Sequence, residues 1–385
     1  MSTMLAHHKI VVSRFISFMT ALVAALISAN CIHAEQAYFM GLGDLPGGLY
    51  RSKAKDVSAD GSVVVGSSVI GPTINDVQAF RWTEETGMVS IAPFTSEARR
   101  ISSDGTTILV GLNRWTADGG MERLPALPGY ATTAAIDLSA DGRIVVGYAS
   151  DGFFEDRGVR WAGSGVEQLA PIIGLSESTI IATSADGATL AGFESDYANG
   201  IRKGFVWNKN TGVKYFANPA NSSYQPIGMS ADGSIVAGFK DLRQPFIWTE
   251  QSGVVPLNTA DSDYMAISAD GSVIVGGYQN SGPGWIWDNA HGVRNLQQVL
   301  TTEYNLGSSL TGWSLRAAES ISADNRTIVG WGFNPNGNIE AFMAYLGTPV
   351  PEPSMFLMAG LALIPLARRS KERTLMTQRR SSARA

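Results

Sequence analysis

Seven aspartates recur in a short sequence context that would suit either ligand binding or a tight turn. The first copy reads VSADGSVVVG at 57–66, and the later copies keep a serine, a small residue, an aspartate and then glycine or asparagine. Successive aspartates are 37 to 54 residues apart. The seven pairs are Asp60-Gly61, Asp104-Gly105, Asp141-Gly142, Asp186-Gly187, Asp232-Gly233, Asp270-Gly271 and Asp324-Asn325.

An Asp-Gly pair between two strands is typical of a type I′ hairpin, which needs positive φ at both central residues. Asparagine tolerates that conformation next best after glycine, so Asn325 in the last copy fits a turn better than a metal site. We therefore predict that the seven pairs are structural turns. Calcium or another ligand held by the carboxylates is the alternative, and neither a cofactor nor a metal is expected.

Each copy also supplies the strands that would carry its turn. A β-branched run follows the Asp-Gly pair, and then come a variable stretch, an aromatic segment such as AFRWT (79–83), a glycine turn and a last short strand. Short runs of this kind between turn residues read as four strands per copy. The repetition predicts an all-β fold, a seven-bladed β-propeller of four-stranded blades.

The aromatic segments and one recurring glycine predict how the sheets pack. Phe80 and Trp82 lie two residues apart and therefore point to the same face of their strand, where they would fill the gap between neighbouring sheets. A row of tryptophans that stacks on carbohydrate is the alternative interpretation. The glycine that closes the second strand of each copy, Gly66 in the first, is expected to allow close approach of a neighbouring backbone.

The last copy predicts how the repeats close. It runs through Ile321–Gly330 and AFMAYL (341–346) and then lacks a fourth strand. The segment AYFMGLGDLPGG, which begins at 37, reads like that missing strand with its following loop. We expect this N-terminal strand to complete the last blade and leave no open sheet edge.

The amino end has the pattern of a secretory signal over residues 1–34. Lys9 and Arg14 precede the apolar run FISFMTALVAALISA, and cleavage is expected after Ala34. A retained membrane anchor or a lipoprotein at Cys31 are the alternatives. Cleavage would remove the only cysteine and leave His291 as the one histidine, which excludes Cys–His catalysis and polyhistidine zinc sites.

Composition narrows the partners. The chain has 385 residues with 44% hydrophobic and 16% charged side chains, which indicates a folded body rather than a disordered tail. Residues 35–350 carry 32 acidic and 20 basic side chains and thus a net charge of −12. Because such a surface repels nucleic acid and anionic lipid, we expect neither as a partner.

The carboxyl end resembles a known sorting signal. Pro351, Glu352 and Pro353 precede the apolar run Met355–Ala367 and the pair Arg368 and Arg369. This order, within residues 349–373, resembles the PEP-CTERM signal of Gram-negative bacteria, and a basic tail follows at 374–385. The resemblance implies processing by an exosortase in a species that makes exopolysaccharide or biofilm matrix. The protein would then reach the cell surface or the extracellular matrix after transient anchoring in the inner membrane through this segment.

The repeat itself resembles the HAF family of extracellular repeats. The matching residues are each SADG with its β-branched run, the AFRWT-type segments and Met40-Gly41-Leu42-Gly43-Asp44-Leu45. The resemblance covers roughly residues 38–346, within a body of 35–348, and implies a secreted, propeller-like protein.

Variable connections on a rigid ring are the expected binding region. The candidate ligand residues are Phe153, Phe154, Glu155, Asp156, Glu194, Asp196 and Tyr197. We expect a non-catalytic secreted protein that binds polysaccharide or another surface protein in the matrix, with signal peptidase and exosortase as partners during sorting. A polysaccharide-cleaving propeller, of glycosidase or lyase type and using loop carboxylates, is the alternative.

Overall fold

The computed structural model describes residues 36–152, 156–169, 177–196, 201–216, 222–279 and 282–347. Within these ranges the compact unit Ala37–Leu346 is built almost entirely of short antiparallel strands. The signal region 1–34 and the sorting segment 349–373 lie outside the described residues. The first strand, β1 (Tyr38–Gly41), pairs with the last strand of the chain and is taken up below.

Five sheets have four strands each, arranged in chain order. Sheet 1 contains β2 (Ser52–Val57), β3 (Val64–Val69), β4 (Val77–Thr83) and β5 (Gly87–Ser90). Sheet 2 contains β6 (Ala98–Ile101), β7 (Thr107–Val110), β8 (Asn113–Thr116) and β9 (Gly120–Arg123). Sheet 3 contains β10 (Thr132–Leu138), β11 (Ile144–Ser150), β12 (Asp156–Ala162) and β13 (Gly165–Gln168). Sheet 4 contains β14 (Ser178–Thr183), β15 (Thr189–Asp196), β16 (Ile201–Asn208) and β17 (Gly212–Tyr215). Sheet 5 contains β18 (Tyr224–Met229), β19 (Ile235–Lys240), β20 (Gln244–Thr249) and β21 (Gly253–Pro256).

The remaining strands form one eight-stranded sheet with two halves. Half A contains β22 (Tyr264–Ile267), β23 (Val273–Gly277), β24 (Trp285–Asp288) and β25 (Gly292–Asn295). Half B contains β26 (Ser314–Ile321), β27 (Thr327–Phe333) and β28 (Ile339–Tyr345), with β1 at its outer edge. The halves meet through a single pairing of Gly277 with Ala317.

Strand β1 confirms the predicted pairing of the N-terminal segment with AFMAYL. Its residues pair antiparallel with β28, from Tyr38 opposite Tyr345 to Gly41 opposite Phe342. Phe39 is buried with its ring 5.1 Å from Trp313 and 5.6 Å from Phe342. The strand is therefore held by both its backbone and its side chains.

The cores lie between sheets, as the aromatic spacing predicts. Phe80 and Trp82 of sheet 1 are buried against Val329 and Met343 of half B. Trp161 of sheet 3 is fully buried in a cluster that includes Leu109 of sheet 2. The tryptophans at these positions are core residues, and the alternative of an exposed stacking row is wrong for them.

The glycine at the end of the second strand also performs its predicted role. A Cβ atom at Gly66 would collide with the carbonyl oxygen of Lys53, and one at Gly147 with that of Ala134. In both sheets the first strand has a β-bulge at this point, so that its backbone bends over the glycine. Gly111 differs, because it has φ of 57° and open space around it.

The connection that follows β25 contains a helix, which the all-β prediction does not include. The helix α1 spans Leu296–Thr302, and the strand β26 begins at Ser314. The side chain of Asn295 caps the helix by accepting a hydrogen bond from the Gln298 N–H. Leu296, Val299 and Leu300 are buried against half A and half B, so this segment belongs to the core.

Candidate functional site

The seven Asp-Gly and Asp-Asn turns lie at the ends of the first strands, and together they form what we call the turn rim. The turn type differs from the predicted I′ hairpin. Positive φ occurs at the glycine, 68° at Gly142 for example, and at Asn325 with 63°, but none of the seven aspartates has positive φ. The serine two residues before each aspartate explains the difference, because its side chain bridges a loop that is longer than a two-residue hairpin.

The bonding in the third copy is representative. The Ser139 hydroxyl donates to Asp141 Oδ1 at 2.6 Å and accepts the Ile144 N–H at 3.0 Å. Asp141 Oδ1 also accepts the Arg143 N–H at 3.0 Å. Equivalent bonds occur in all seven copies, and the serine is buried each time. The carboxylates are thus engaged in local hydrogen bonds that hold the turns.

These bonds also stabilise the ionised carboxylates. The Ser102 hydroxyl, followed by the Thr106 N–H, lowers the pKa of Asp104 against the opposing effect of burial. For Asp270 burial is the largest single influence and raises the pKa, yet hydrogen bonds from Ser272, Ser268 and Asn325 together lower its pKa to about 2. Among the described residues no group of three or more His, Cys, Asp and Glu side chains is placed to hold a metal ion.

The turns also join neighbouring sheets, which sequence reasoning missed. The Ala59 N–H donates to Ser103 O at 2.9 Å, and the Ser103 N–H donates to Ala140 O at 2.8 Å. Each turn glycine packs against the preceding sheet, and a Cβ at Gly142 would lie 2.6 Å from Thr107 Cβ. The signal was present in the sequence, because a small residue always precedes the aspartate.

A cavity of about 350 Å³ lies among the first strands of sheets 1–5, half A and half B. Polar side chains in its wall join consecutive sheets. The Ser320 hydroxyl donates to Asp56 Oδ1 at 2.6 Å, and Asp56 Oδ2 accepts the Ile101 N–H at 2.9 Å. Arg100 Nε donates to Asp137 Oδ1 at 3.2 Å. Burial raises the pKa of Asp56 and Asp137, and the Arg100 guanidinium opposes that rise.

A second cavity, of about 230 Å³, lies at the other end of β2, away from the turn rim. We call it the cationic pocket and define it by Arg51, Lys53, Lys55, Glu97 and Tyr264, all of which line it. The three cations alternate along the chain, in a strand whose intervening residues, Ser52 and Ala54, are fully buried. The pocket therefore draws its cations from one edge of sheet 1, and Glu97 and Tyr264 reach it from other sheets.

Lys53 is the most perturbed cation of the pocket. Its Nζ lies 4.1 Å from the centre of the Trp331 ring, a favourable cation–π geometry. Burial first, and then repulsion by Lys55, lower the pKa of Lys53 to about 8. Lys55 Nζ contacts Glu319 Oε1 at 3.1 Å, which also accepts the Trp331 indole N–H at 3.1 Å. Burial raises the pKa of Tyr264 to about 12, so this phenol stays protonated.

The candidate ligand residues from sequence are not brought together in this pocket. Phe153, Phe154, Glu155 and Tyr197 lie outside the described residues. Asp156 begins β12 and pairs with Ser150, and Asp196 ends β15.

Glu194 is a correction, because it lies in strand β15 and is 1% exposed rather than in a solvated loop. Strands β15 and β16 extend farther than the sequence suggested, since they leave only four residues between them. Its Oε2 accepts the Tyr215 hydroxyl at 2.6 Å, and burial raises the pKa of Glu194 despite that bond.

His291 occupies an exposed turn between β24 and β25. Its Nδ1 lies 2.8 Å from Asp288 Oδ1, and Asp288 Oδ2 accepts Arg294 Nη2 at 2.5 Å. The group fixes the turn from Asp288 to Gly292. Within the described ranges, no helix has the length and apolar character needed to cross a bilayer.

Known proteins resemble this chain in fold. No protein-family model and no curated protein sequence matches it. An oligogalacturonate lyase in complex with manganese has a TM-score of 0.51 and 15% identity, over 77% of this chain and 88% of the other. An oligogalacturonate lyase from Vibrio parahaemolyticus has a TM-score of 0.52 and 13% identity, over 82% and 94%. The β-propeller domain of Cps50 (Swd1) from Myceliophteria thermophila has a TM-score of 0.52 and 12% identity, over 80% and 99%.

At this level of identity the likeness concerns the fold alone. The four-stranded antiparallel sheets and the solved structures together assign the chain to the β-propeller class. That class contains proteins of many unrelated functions, so function has to be argued from the cavities and their side chains.

Proposed function

We propose that seven four-stranded blades, sheets 1–5 and halves A and B, close into a ring that β1 completes. Contacts between half B and sheet 1 support this closure. The Ala341 N–H donates to Ser52 Oγ at 3.0 Å, and Lys55 pairs with Glu319. Gly61 of the first turn packs on Thr327 of half B, as each later turn glycine packs on the sheet before it.

Replacing Phe39 with alanine tests the closure. Because Phe39 is buried between Trp313 and Phe342, its loss is expected to lower the free energy of unfolding by about 3–5 kcal/mol. The control is Tyr38→Ala on the same strand, where the side chain is 43% exposed and stacks on Tyr345, for a loss of about 1 kcal/mol. Equal and small losses in urea titrations would mean that β1 is dispensable.

We further propose that the protein is an exported, non-catalytic binding component of an extracellular or biofilm matrix, with polysaccharide as its ligand. The observation that carries this proposal is the cationic pocket at the end of β2, opposite the turn rim. Its cations stand out in a body that is strongly acidic, and its walls combine charge with apolar side chains. Such a cavity on a rigid scaffold is suited to binding.

The ends of the chain supply the proposed route. Signal peptidase would cut after Ala34, and an exosortase would act on the segment that begins with Pro351, Glu352 and Pro353. The HAF-like repeat and the PEP-CTERM-like segment support the surface of a Gram-negative cell as the destination. Expression with and without residues 349–385, followed by cell fractionation, tests this route, and equal distribution of both forms would contradict it.

Retention on immobilised polysaccharide tests the binding function. The full-length exported protein is expected to be retained on columns that carry an acidic exopolysaccharide and to leave the chain length of that polymer unchanged. Columns with a neutral glucan serve as the control. Equal elution from both columns would contradict the proposal.

A polysaccharide lyase is the second candidate, favoured by the two oligogalacturonate lyases among the similar folds. The loop carboxylates give it no support, because Asp156 and Glu194 lie on separate strands and Glu194 is buried. Incubation with a panel of uronate polymers, followed by detection of unsaturated products, separates the two. Product release that Lys53→Met abolishes would favour the lyase.

A further inference from the structure

The cationic pocket carries a more specific inference, which rests on the polysaccharide-binding function proposed above. Lys53 and Lys55 belong to β2 and Arg51 directly precedes it, at the end of sheet 1 away from the turn rim. Lys55 is neutralised by Glu319 at 3.1 Å. Among the described residues, neither Arg51 nor Lys53 forms an ion pair, and Glu97 is the carboxylate that lines the cavity beside them.

Apolar side chains form the wall beside these cations. Ile74 and Val77 line the same cavity, and Ile74 is 56% exposed, whereas Val69 behind them is buried. Apolar side chains of this kind can contact the C–H face of a sugar ring, whereas they offer nothing to a fully hydrated inorganic ion. Pockets for drug-sized ligands span about 300–1,000 Å³, and this one is smaller, near 230 Å³. The cavity is thus suited to one ring that carries one acidic group.

We propose that the cationic pocket binds a single carboxylate-bearing sugar residue of a glycan chain, with Arg51 and Lys53 on the carboxylate and Ile74 and Val77 against the ring. Ser67, which also lines the cavity, supplies a hydroxyl for the ring oxygens. Two cations on one carboxylate form charge-assisted hydrogen bonds, which are the stronger class.

The position of Lys53 explains why such a ligand would bind there. The groups that face it are Arg51 just before β2, Lys55 on β2, Glu97 before β6, Tyr264 on β22, and Glu319 and Trp331 on half B. Their balance, together with burial, disfavours the charged lysine and lowers its pKa to about 8. A bound carboxylate would reverse this effect, and so binding near pH 8 takes up a proton.

Calorimetric titration of the full-length protein tests the proposal. The probes are galacturonate, glucuronate, the neutral sugars galactose and glucose, inorganic phosphate and sulfate. Uronates are expected to bind and neutral sugars are not. Lys53→Met is expected to weaken uronate binding about tenfold or more, which corresponds to the loss of one charge-assisted hydrogen bond. The control Lys214→Met removes an equal charge that pairs with Glu250 at 2.6 Å outside the pocket, and it should change nothing.

A second readout does not depend on a variant. Uronate affinity is expected to fall as pH rises through about 8, and the binding heat at pH 8 should depend on the ionisation enthalpy of the buffer. Lys53→Met should abolish both effects.

Three results would overturn the inference: neutral sugars binding as tightly as uronates, phosphate or sulfate binding as tightly as uronates, or undiminished uronate affinity in folded Lys53→Met. The outcomes also separate this inference from the broader function. Retention of polysaccharide by Lys53→Met would support the polysaccharide-binding function and contradict the cationic pocket as its site. Binding of free uronates without retention of any polysaccharide would support the pocket as a uronate site and contradict the broader function.

Discussion

The two rims of this propeller differ in how they use charge. On the turn rim, every aspartate of the repeat accepts hydrogen bonds from a serine hydroxyl and a backbone N–H, so its carboxylate is engaged within its own turn. On the opposite rim, Arg51 and Lys53 of the cationic pocket form no ion pair within the described part of the chain. The comparison teaches that repetition here serves stability, whereas the departure from repetition marks the surface for which we propose binding.

The largest expected effect on the turn rim comes from a turn glycine. In Gly142→Ala, the new Cβ would lie 2.6 Å from Thr107 Cβ on a backbone with φ of 68°. We expect a loss of about 1–3 kcal/mol from the clash, in addition to about 1–2 kcal/mol for the left-handed backbone. Thermal and urea unfolding measure it.

Gly163→Ala is the matched control for that change. Its φ is 62°, but no atom lies within 4 Å of the position that the alanine methyl carbon would take, so only the backbone cost should remain. Equal losses at the two glycines would show that the close packing of Gly142 on Thr107 contributes nothing to stability.

A smaller loss is expected from the buried serine of a turn. Ser139→Ala leaves the Ile144 N–H without its acceptor, which costs about 1–3 kcal/mol. Ser62→Ala removes an exposed hydroxyl that bonds only to Asp60, and a change within about 0.5 kcal/mol is expected. If both variants gave the same small change in urea midpoint, the hydrogen bonds of the buried serine would not be a source of stability.

The stability of the protein at acidic pH should show a modest effect of the same hydrogen bonds. Asp270 has a pKa of about 2 in the folded protein, below the ordinary value of 3.8. Its contribution is therefore complete above about pH 4 and is lost as pH falls through about 2. The melting-temperature difference between wild type and Asp270→Asn should narrow over that window. A constant difference down to pH 2 would contradict the lowered pKa.

The smallest effect is expected on the opposite rim, and its sign is reversed. Because the pKa of Lys53 is lowered to about 8 from 10.5, the protonated lysine opposes folding below pH 8. Lys53→Met should therefore melt at the same temperature as wild type, or slightly higher, at pH 7. A clear fall in melting temperature would mean that Lys53 serves the fold rather than a ligand.

The difference between the rims also explains what could be predicted from sequence. The position of the turns, the paired aromatics and the β1–β28 pairing follow from local spacing and from the incomplete last copy. The predicted turn type was wrong because the serine hydroxyl accepts a hydrogen bond from an N–H five residues further along the chain, and a two-residue hairpin contains no such bond. The helix α1 was missed because its seven residues lie in a stretch without repeat features.

The cationic pocket was beyond the reach of the same reasoning. In the sequence, Arg51, Lys53 and Lys55 alternate with Ser52 and Ala54, and this alternation of cations in an acidic chain is the one available signal. Their partners Tyr264 and Glu319 lie more than two hundred residues away in sequence and meet them only through the arrangement of the sheets. Long-range placement of this kind is not encoded in a local pattern.

Uronate binding and melting temperature, measured side by side for Lys53→Met and Ser139→Ala, test the division between the rims most directly. Lys53→Met should lose uronate binding about tenfold or more and keep its melting temperature. Ser139→Ala should melt lower and, at a temperature where it is folded, bind uronate like wild type. Loss of binding in both variants, or in neither, would contradict the assignment of stability to one rim and binding to the other.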